Sequence, residues 1–263
     1  MSFFDNYNFS PMEFLSFTTT DGIELNGAII KPYDFDESLK YPVLIYNYSG
    51  PGSQTVKDSW GGIDYLWHQL LAQKGYIIFI IDNRGTGGRG KAFKNLVYKN
   101  LGKWEVHDII EGTKYLSNLP YVDSERIGIW GWSYGGYISA LAIMKGAEYF
   151  KAAIAVAPVT HWKFYDTIYT ERYMQTPELN PEGYEKSSPL NYVEDLKGNL
   201  LLVHGTSDDN VHFQNTIELV KELINANKQF DIIFYPDKKH GISGGNTQIH
   251  LFNKMTEFIL NNL

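Results

Sequence analysis

The apolar runs PVLIYNY, YIIFIID, RIGIWGW, AAIAVAP and NLLLVHG, separated by amphipathic segments, predict an α/β fold: a mostly parallel, twisted sheet with helices on both faces. Two features of the pattern decide this. The runs are apolar throughout instead of alternating, as strands buried on both faces must be. The segments between them repeat apolar residues at a period near 3.6, as helices lying on such a sheet must. Sheets of this kind hold ligands at the carboxyl ends of their strands. The polar and glycine-rich stretches after each run are therefore where chemistry is sought.

FLSFTTT (14–20) and LNGAIIKP (25–32) read as an antiparallel pair joined at Asp21-Gly22, a strong hairpin signal. PVLIYNY (42–48) is a buried strand, and LWHQLLAQKG (66–75) has helical spacing with a glycine stop. YIIFIID (76–82) is a second buried strand, closed by the glycine-rich NRGTGGRG (83–90). WEVHDIIEGTKYLSNL (104–119) is amphipathic and ends before Pro120. RIGIWGW (126–132), AAIAVAP (152–158), NLLLVHG (199–205) and FDIIFYP (230–236) complete the strands. Helices are expected in the small-residue segment YISALAIM (137–144) and at 213–227 and 247–261.

At 263 residues, with 43% apolar side chains, the chain suits one α/β domain, and it shows no internal repeat or low-complexity linker. The net charge of −7 argues against nucleic acid, which needs a basic footprint. No apolar run approaches the roughly 18 residues of a membrane-spanning helix, and MSFFDNYNFS lacks the basic and apolar regions of a signal peptide. With no cysteine, disulfides, thiol catalysis and thiolate metal sites are excluded. Aromatic residues are abundant, with 19 Tyr and 6 Trp, and ask for an explanation.

GWSYGG (131–136) stands where strand RIGIW turns into helix YISALAIM. It matches G-x-S-x-G, the nucleophile elbow, in which a strained turn lifts the serine hydroxyl above the sheet. By itself the motif also fits a glycine-rich strand-to-helix turn without chemistry. A hydrolytic elbow needs an acid and then a histidine later in the chain. His68 and His107 precede Ser133 in helical patterns and are expected to face solvent or a groove. His204 reads as a buried strand residue, and His161, His212 and His250 have no strand immediately before them. His240 follows FDIIFYP through a short loop, where the last strand delivers its base. Asp208 and Asp209 both follow strand 199–204, and chain order does not choose between them.

These stretches together carry a family resemblance. GWSYGG, HGTSDDNVHFQ (204–214), DKKHGI (237–242), YSGPGSQ (48–54), DNRGTGGRG (82–90) and APVTHWKFYDTIYTERYM (157–174) resemble the catalytic domain of the dipeptidyl peptidase IV branch, the post-proline branch of the prolyl oligopeptidase family of serine peptidases. The likeness runs over about residues 10–263, and the YTERYM block is specific to this branch. It implies an α/β-hydrolase fold without cofactor or metal, spanning the whole chain as one peptidase domain. It makes Ser133 the nucleophile, Asp208 the acid and His240 the base, and leaves Asp209 as a loop or supporting residue.

The resemblance also supplies Tyr48 as an oxyanion donor beside the backbone N–H of Tyr134, against the packing role that the sequence alone favours for Tyr48. Around a proline-binding S1 pocket it sets Tyr134, Val159, Trp162, Tyr165, Tyr169 and Val211. The spacing of 162, 165 and 169 predicts one helical face, which suits either a pocket wall or core. Asn210 is implied as donor to the substrate carbonyl, with Glu171 and Arg172 in support. Substrates would be peptides with proline second, cleaved to release dipeptides, and a homodimer would form through this domain. Animal relatives carry a disulfide where this chain has Ala152 and Asn262, so that brace is missing.

The family's N-terminal β-propeller, with its amine-binding glutamates, has no counterpart in the chain. The chain reads as an excised hydrolase domain in preference to a natural short form, expected to be weakly active on dipeptide amides, and the resemblance implies a full-length protein that is periplasmic, secreted or at the cell surface. A carboxylesterase of the same fold is a rival, although YSGPG stands where its HGGG-like loop would be. A binding module without catalysis is another, although no triad residue is missing.

Overall fold

The structure, a computed structural model, describes residues 7–263. The absence of a signal peptide was read partly from residues 1–6, which lie outside the described residues. β1 (Met12–Thr18) and β2 (Glu24–Ile30) form the antiparallel hairpin expected around Asp21-Gly22, with Thr18 opposite Glu24. Gly22, at φ 84°, occupies the left-handed region that the turn requires. β3 (Tyr41–Tyr46), β4 (Ile77–Asp82), β5 (Val122–Trp132), β6 (Ala152–Val156), β7 (Asn199–Gly205) and β8 (Asp231–Tyr235) follow. All eight join one sheet in the order β1-β2-β4-β3-β5-β6-β7-β8. β2 pairs antiparallel with β4, and every pairing from β4 to β8 is parallel. β5 reaches back to Val122, before the predicted start, and β3 stops at Tyr46, leaving Tyr48 in the loop beyond.

The helices are α1 (Gly62–Gln73), α2 (Gly90–Lys94), α3 (Lys103–Ser117), α4 (Tyr134–Lys145), α5 (Thr167–Met174), α6 (Pro181–Ser187), α7 (Gln214–Asn225) and α8 (Thr247–Asn262). The continuous apolar runs divide by period two between the sheet's faces. Ile77, Phe79 and Ile81 of β4 belong to the same buried cluster as Ile109 of α3, Leu141 of α4 and Leu219 of α7. Ile78 and Ile80, with Trp130 of β5, pack with Trp67 and Leu71 of α1 and Met255 of α8. Each such side chain contributes about 1.5–3 kcal/mol when fully buried, which makes the sheet a rigid base for the loops at its edge. No described helix is long and apolar enough to cross a membrane.

Three short helices differ from the sequence expectation, because none is marked out by an apolar stripe of its own: α2 and α6 are unforeseen, and α5 replaces the helix expected through 162, 165 and 169. α5 is capped by Asp166, whose carboxylate accepts the Tyr169 N–H at 2.8 Å, and α6 by Asn180 followed by Pro181. α2 is a five-residue turn with no buried residue.

His68 corrects the expectation that it would face solvent or a groove. It lies on the inner side of α1, 2% exposed, and its Nε2 accepts the Trp130 indole N–H at 3.1 Å. Burial pushes its pKa down to about 3, so the ring stays neutral. His107 is partly exposed, with its Nδ1 2.9 Å from the Arg84 guanidinium.

Candidate active site

The turn from β5 into α4 concentrates backbone strain on one residue. Ser133 has φ 60° and ψ −117°, a region that costs a non-glycine residue about 1–3 kcal/mol. Its N–H donates to Val156 O on β6 at 2.8 Å, and its carbonyl accepts the Tyr137 N–H at 2.9 Å. The flanking glycines answer to steric need. A Cβ on Gly131 would stand 2.6 Å from Asn47 O, one on Gly135 would strike the same oxygen, and one on Gly136 would meet Val156 O at 2.5 Å. Beyond the turn, every residue from Tyr134 to Met144 is buried.

Asp208 and His240 come from successive strand ends, those of β7 and β8, and meet. His240 Nδ1 lies 2.7 Å from Asp208 Oδ2, while Asp208 Oδ1 accepts the N–H groups of Asn210 at 2.9 Å and Val211 at 3.0 Å. Burial would push the Asp208 carboxyl up; hydrogen bonds from His204, His240 and the Asn210 backbone override it and hold the group well below the usual carboxylate range. Asp209 instead points to solvent and pairs with Lys239 at 2.6 Å. The two aspartates that chain order left equivalent are thus separated by geometry.

The structure adds His204 to this group. Fully buried, it brings Nε2 within 3.2 Å of Asp208 Oδ2 and within 2.9 Å of Val211 O, with Nδ1 2.7 Å from the Thr216 hydroxyl. The Trp132 indole N–H donates to the His240 carbonyl at 2.9 Å, tying the elbow to the histidine loop. Among the described residues no hydrogen bond joins Ser133 Oγ to His240.

Tyr48 stands beside the elbow, its ring 6.3 Å from that of Tyr134, and is 39% exposed. Burial of its hydroxyl raises the pKa, so the phenol keeps its proton and remains a donor. The loop is anchored by Asn47, whose amide donates to Trp130 O and to the Ser139 hydroxyl, both at 3.1 Å.

The 162, 165 and 169 stripe is not one helical face. Trp162 belongs to a 3-10 turn, Tyr165 is extended, and Tyr169 lies in the first turn of a new helix that begins after the Asp166 cap. The rings converge nonetheless: Trp162 lies 6.0 Å from both Tyr165 and Tyr169, and the two tyrosines are 5.4 Å apart, edge to face. Val159, Trp162, Val211 and Tyr134 are buried in the core, and Tyr165 and Tyr169 are partly buried against it. Tyr165 donates its phenolic proton to Asn210 Oδ1 at 2.7 Å.

Glu171 and Arg172 are exposed, and neither side chain makes a hydrogen bond or ion pair among the described residues. Two cavities adjoin Tyr48 and Tyr165. One of about 310 Å³ includes Tyr48, Gln54, Trp60 and Asp64 in its lining, and one of about 530 Å³ includes Tyr165, Asp166 and Asn210. No group of three or more described His, Asp or Glu could hold a metal ion.

Sequence reasoning did not find Trp132, His204 or Asn47 as parts of this site. Trp132 occupies a free position of G-x-S-x-G, and Asn47 sits inside a strand-like run; neither position announces a partner. The four-residue spacing of His204 and Asp208 was the one legible sign.

A doubly covered, mostly parallel sheet that lifts a strained serine at one strand end and an aspartate–histidine pair at two later ones is an α/β-hydrolase fold. Residues 64–263 match the prolyl oligopeptidase family, and the chain belongs to it. It is 44% identical over 255 residues to the probable dipeptidyl-aminopeptidase B of Neurospora crassa, covering 95% of this chain and 27% of that protein. To human dipeptidyl peptidase 8 it is 41% identical over 258 residues, 95% of this chain and 29% of the relative. The crystal structure of Porphyromonas gingivalis dipeptidyl peptidase 4 superposes with a TM-score of 0.94 at 48% identity, over 98% of this chain and 36% of that one. The chain therefore spans about a quarter to a third of these relatives.

Proposed function

We propose that this chain is the peptidase domain of a serine dipeptidyl peptidase, acting on peptides with proline, or alanine, in second position and releasing the N-terminal dipeptide through an acyl-enzyme. The observation that carries the reading is the 2.7 Å contact of Asp208 with His240 on a sheet that also presents Ser133 at φ 60°. His240 takes the serine proton. Asp208 accepts from Nδ1, which leaves Nε2 as the base and stabilises the imidazolium that forms. The contact between Nε2 and Ser133 closes when substrate excludes water.

The carbonyl oxygen, negative in the tetrahedral intermediate, receives the Tyr134 N–H and the Tyr48 hydroxyl. Proline is compact and has no N–H once in a peptide, so an aromatic recess suits it by shape and by apolar burial; Tyr134, Val159, Trp162, Tyr165, Tyr169 and Val211 form that recess. With Oδ1 of Asn210 accepting the Tyr165 proton, its NH₂ is the group left to donate to the carbonyl of the first substrate residue. On the resemblance alone, two copies would pair through this domain, which light scattering of the purified chain tests.

The deciding experiment compares a Gly-Pro chromogenic amide with a short-chain ester, using wild type and Ser133→Ala. Amide turnover that Ser133→Ala abolishes supports the peptidase. Ester turnover alone returns the carboxylesterase, and no turnover of either returns the binding module.

A further inference from the structure

Glu105 lies in the first turn of α3 with no exposed surface. Its Oε1 accepts the phenolic proton of Tyr134 at 2.6 Å, and its Oε2 is buried with no hydrogen-bond partner among the described residues. A carboxylate so placed is costly, and an apolar side chain of the same volume would stabilise the fold better. Burial pushes its pKa up to about 7, against the opposing pull of the Tyr134 bond and of its own and the Gly102 N–H. The charged and titratable groups facing it are Tyr134, Tyr137 and Lys145 of α4, Tyr169 of α5, and Asp108 on its own helix, itself paired with Arg84 at 2.5 Å. No described cation forms an ion pair with it.

The partner it holds is the residue after Ser133. Tyr134 opens α4 directly behind the strained serine, and its ring lies 5.5 Å from Trp162 and 6.3 Å from Tyr48. The segment that carries Glu105 braces α4 a second time: the Tyr137 hydroxyl donates to Leu101 O at 3.1 Å. Gly102, at φ 81°, makes room for that tyrosine, because a Cβ there would collide with its hydroxyl.

We propose that Glu105 is a positioning residue for the acyl-transfer site: by gripping the Tyr134 hydroxyl, it fixes both the ring that walls the proline recess and the N–H that receives the oxyanion. The inference rests on the peptidase reading above. Ionised, Glu105 accepts a charge-assisted bond, the stronger kind. Protonated, it loses that advantage, so the grip slackens as pH falls through neutrality.

The test measures kcat and KM on Gly-Pro and Gly-Ala chromogenic amides across the neutral pH range for wild type, Glu105→Gln, Tyr134→Phe and the double variant. Each single change should lower kcat/KM on Gly-Pro by about ten-fold or more, the size of a lost hydrogen bond to a charged group. The double variant should be no worse than the singles, because both remove one contact. Preference for proline over alanine should narrow, and any change in that preference with pH near neutrality should vanish in Glu105→Gln, because the proton demand of His240 is common to both substrates.

Melting temperature separates positioning from mere support. Because the folded-state pKa is raised, ionising Glu105 lowers stability as pH rises from the ordinary carboxylate range to about 7. At alkaline pH, Glu105→Gln should therefore melt no lower than wild type while being less active. Wild-type kinetics and pH profile in Glu105→Gln, or independent losses in the double variant, would overturn the proposal. If wild type cleaves no Gly-Pro amide, the peptidase reading has failed. The rate of fluorophosphonate labelling then still reads the oxyanion arm, and equal rates in wild type and Glu105→Gln would count against Glu105.

Discussion

The Trp132 indole N–H donates to the main-chain carbonyl of His240 at 2.9 Å. The residue that precedes the elbow serine thereby holds the loop that carries the histidine, across 108 positions of sequence. Trp132→Phe keeps the ring and removes the bond. A neutral hydrogen bond contributes about 1 kcal/mol, so the fluorophosphonate labelling rate should fall roughly five-fold, a 1.4 kcal/mol change being ten-fold. An unchanged rate would mean the loop is held by other contacts.

A fluorophosphonate should label Ser133, with the modified peptide identified by mass spectrometry. Ser133→Ala removes the nucleophile and His240→Ala its base, and each should lower peptide turnover on the order of a million-fold. Labelling that persists in Ser133→Ala assigns the nucleophile elsewhere.

Tyr48→Phe keeps the ring that packs near Tyr134 and deletes the hydroxyl. If that hydroxyl stabilises the oxyanion, kcat should fall by roughly a hundred-fold with KM nearly unchanged, as for other single donors. A wild-type kcat would restrict Tyr48 to packing.

Asp208 sets an acid limit on stability. Its folded-state pKa is depressed, so its contribution is fully present above the unfolded value, about 4, and is lost as pH falls below that through the folded value. Melting curves of wild type and Asp208→Asn should differ at neutral pH and converge in strong acid. A gap independent of pH would show that the carboxylate's charge is not what stabilises the turn.

Much of the fold was legible locally, because exclusion of water leaves its record along each element. Strands buried on both faces must be apolar at every position, and so PVLIYNY, YIIFIID and NLLLVHG could be read as strands without a partner in view. The elbow was legible for the same reason: Gly131 and Gly135 have no room for a side chain, whatever the rest of the chain does. Partnership is not a local property. Asp208 and Asp209 are neighbours with one chemistry, and only the turn after β7 decides that the first accepts the N–H groups of Asn210 and Val211 and meets His240 while the second pairs with Lys239 in solvent. Periodicity placed Trp162, Tyr165 and Tyr169 on one helix; the Asp166 cap breaks that helix, and tertiary packing reunites the rings. His68 and Glu105 sit in helical patterns as polar residues that solvent could have taken. Which of them is buried, and against what, was decided when α1 and α3 docked on opposite faces of the sheet, because burial depends on what arrives from elsewhere in the chain.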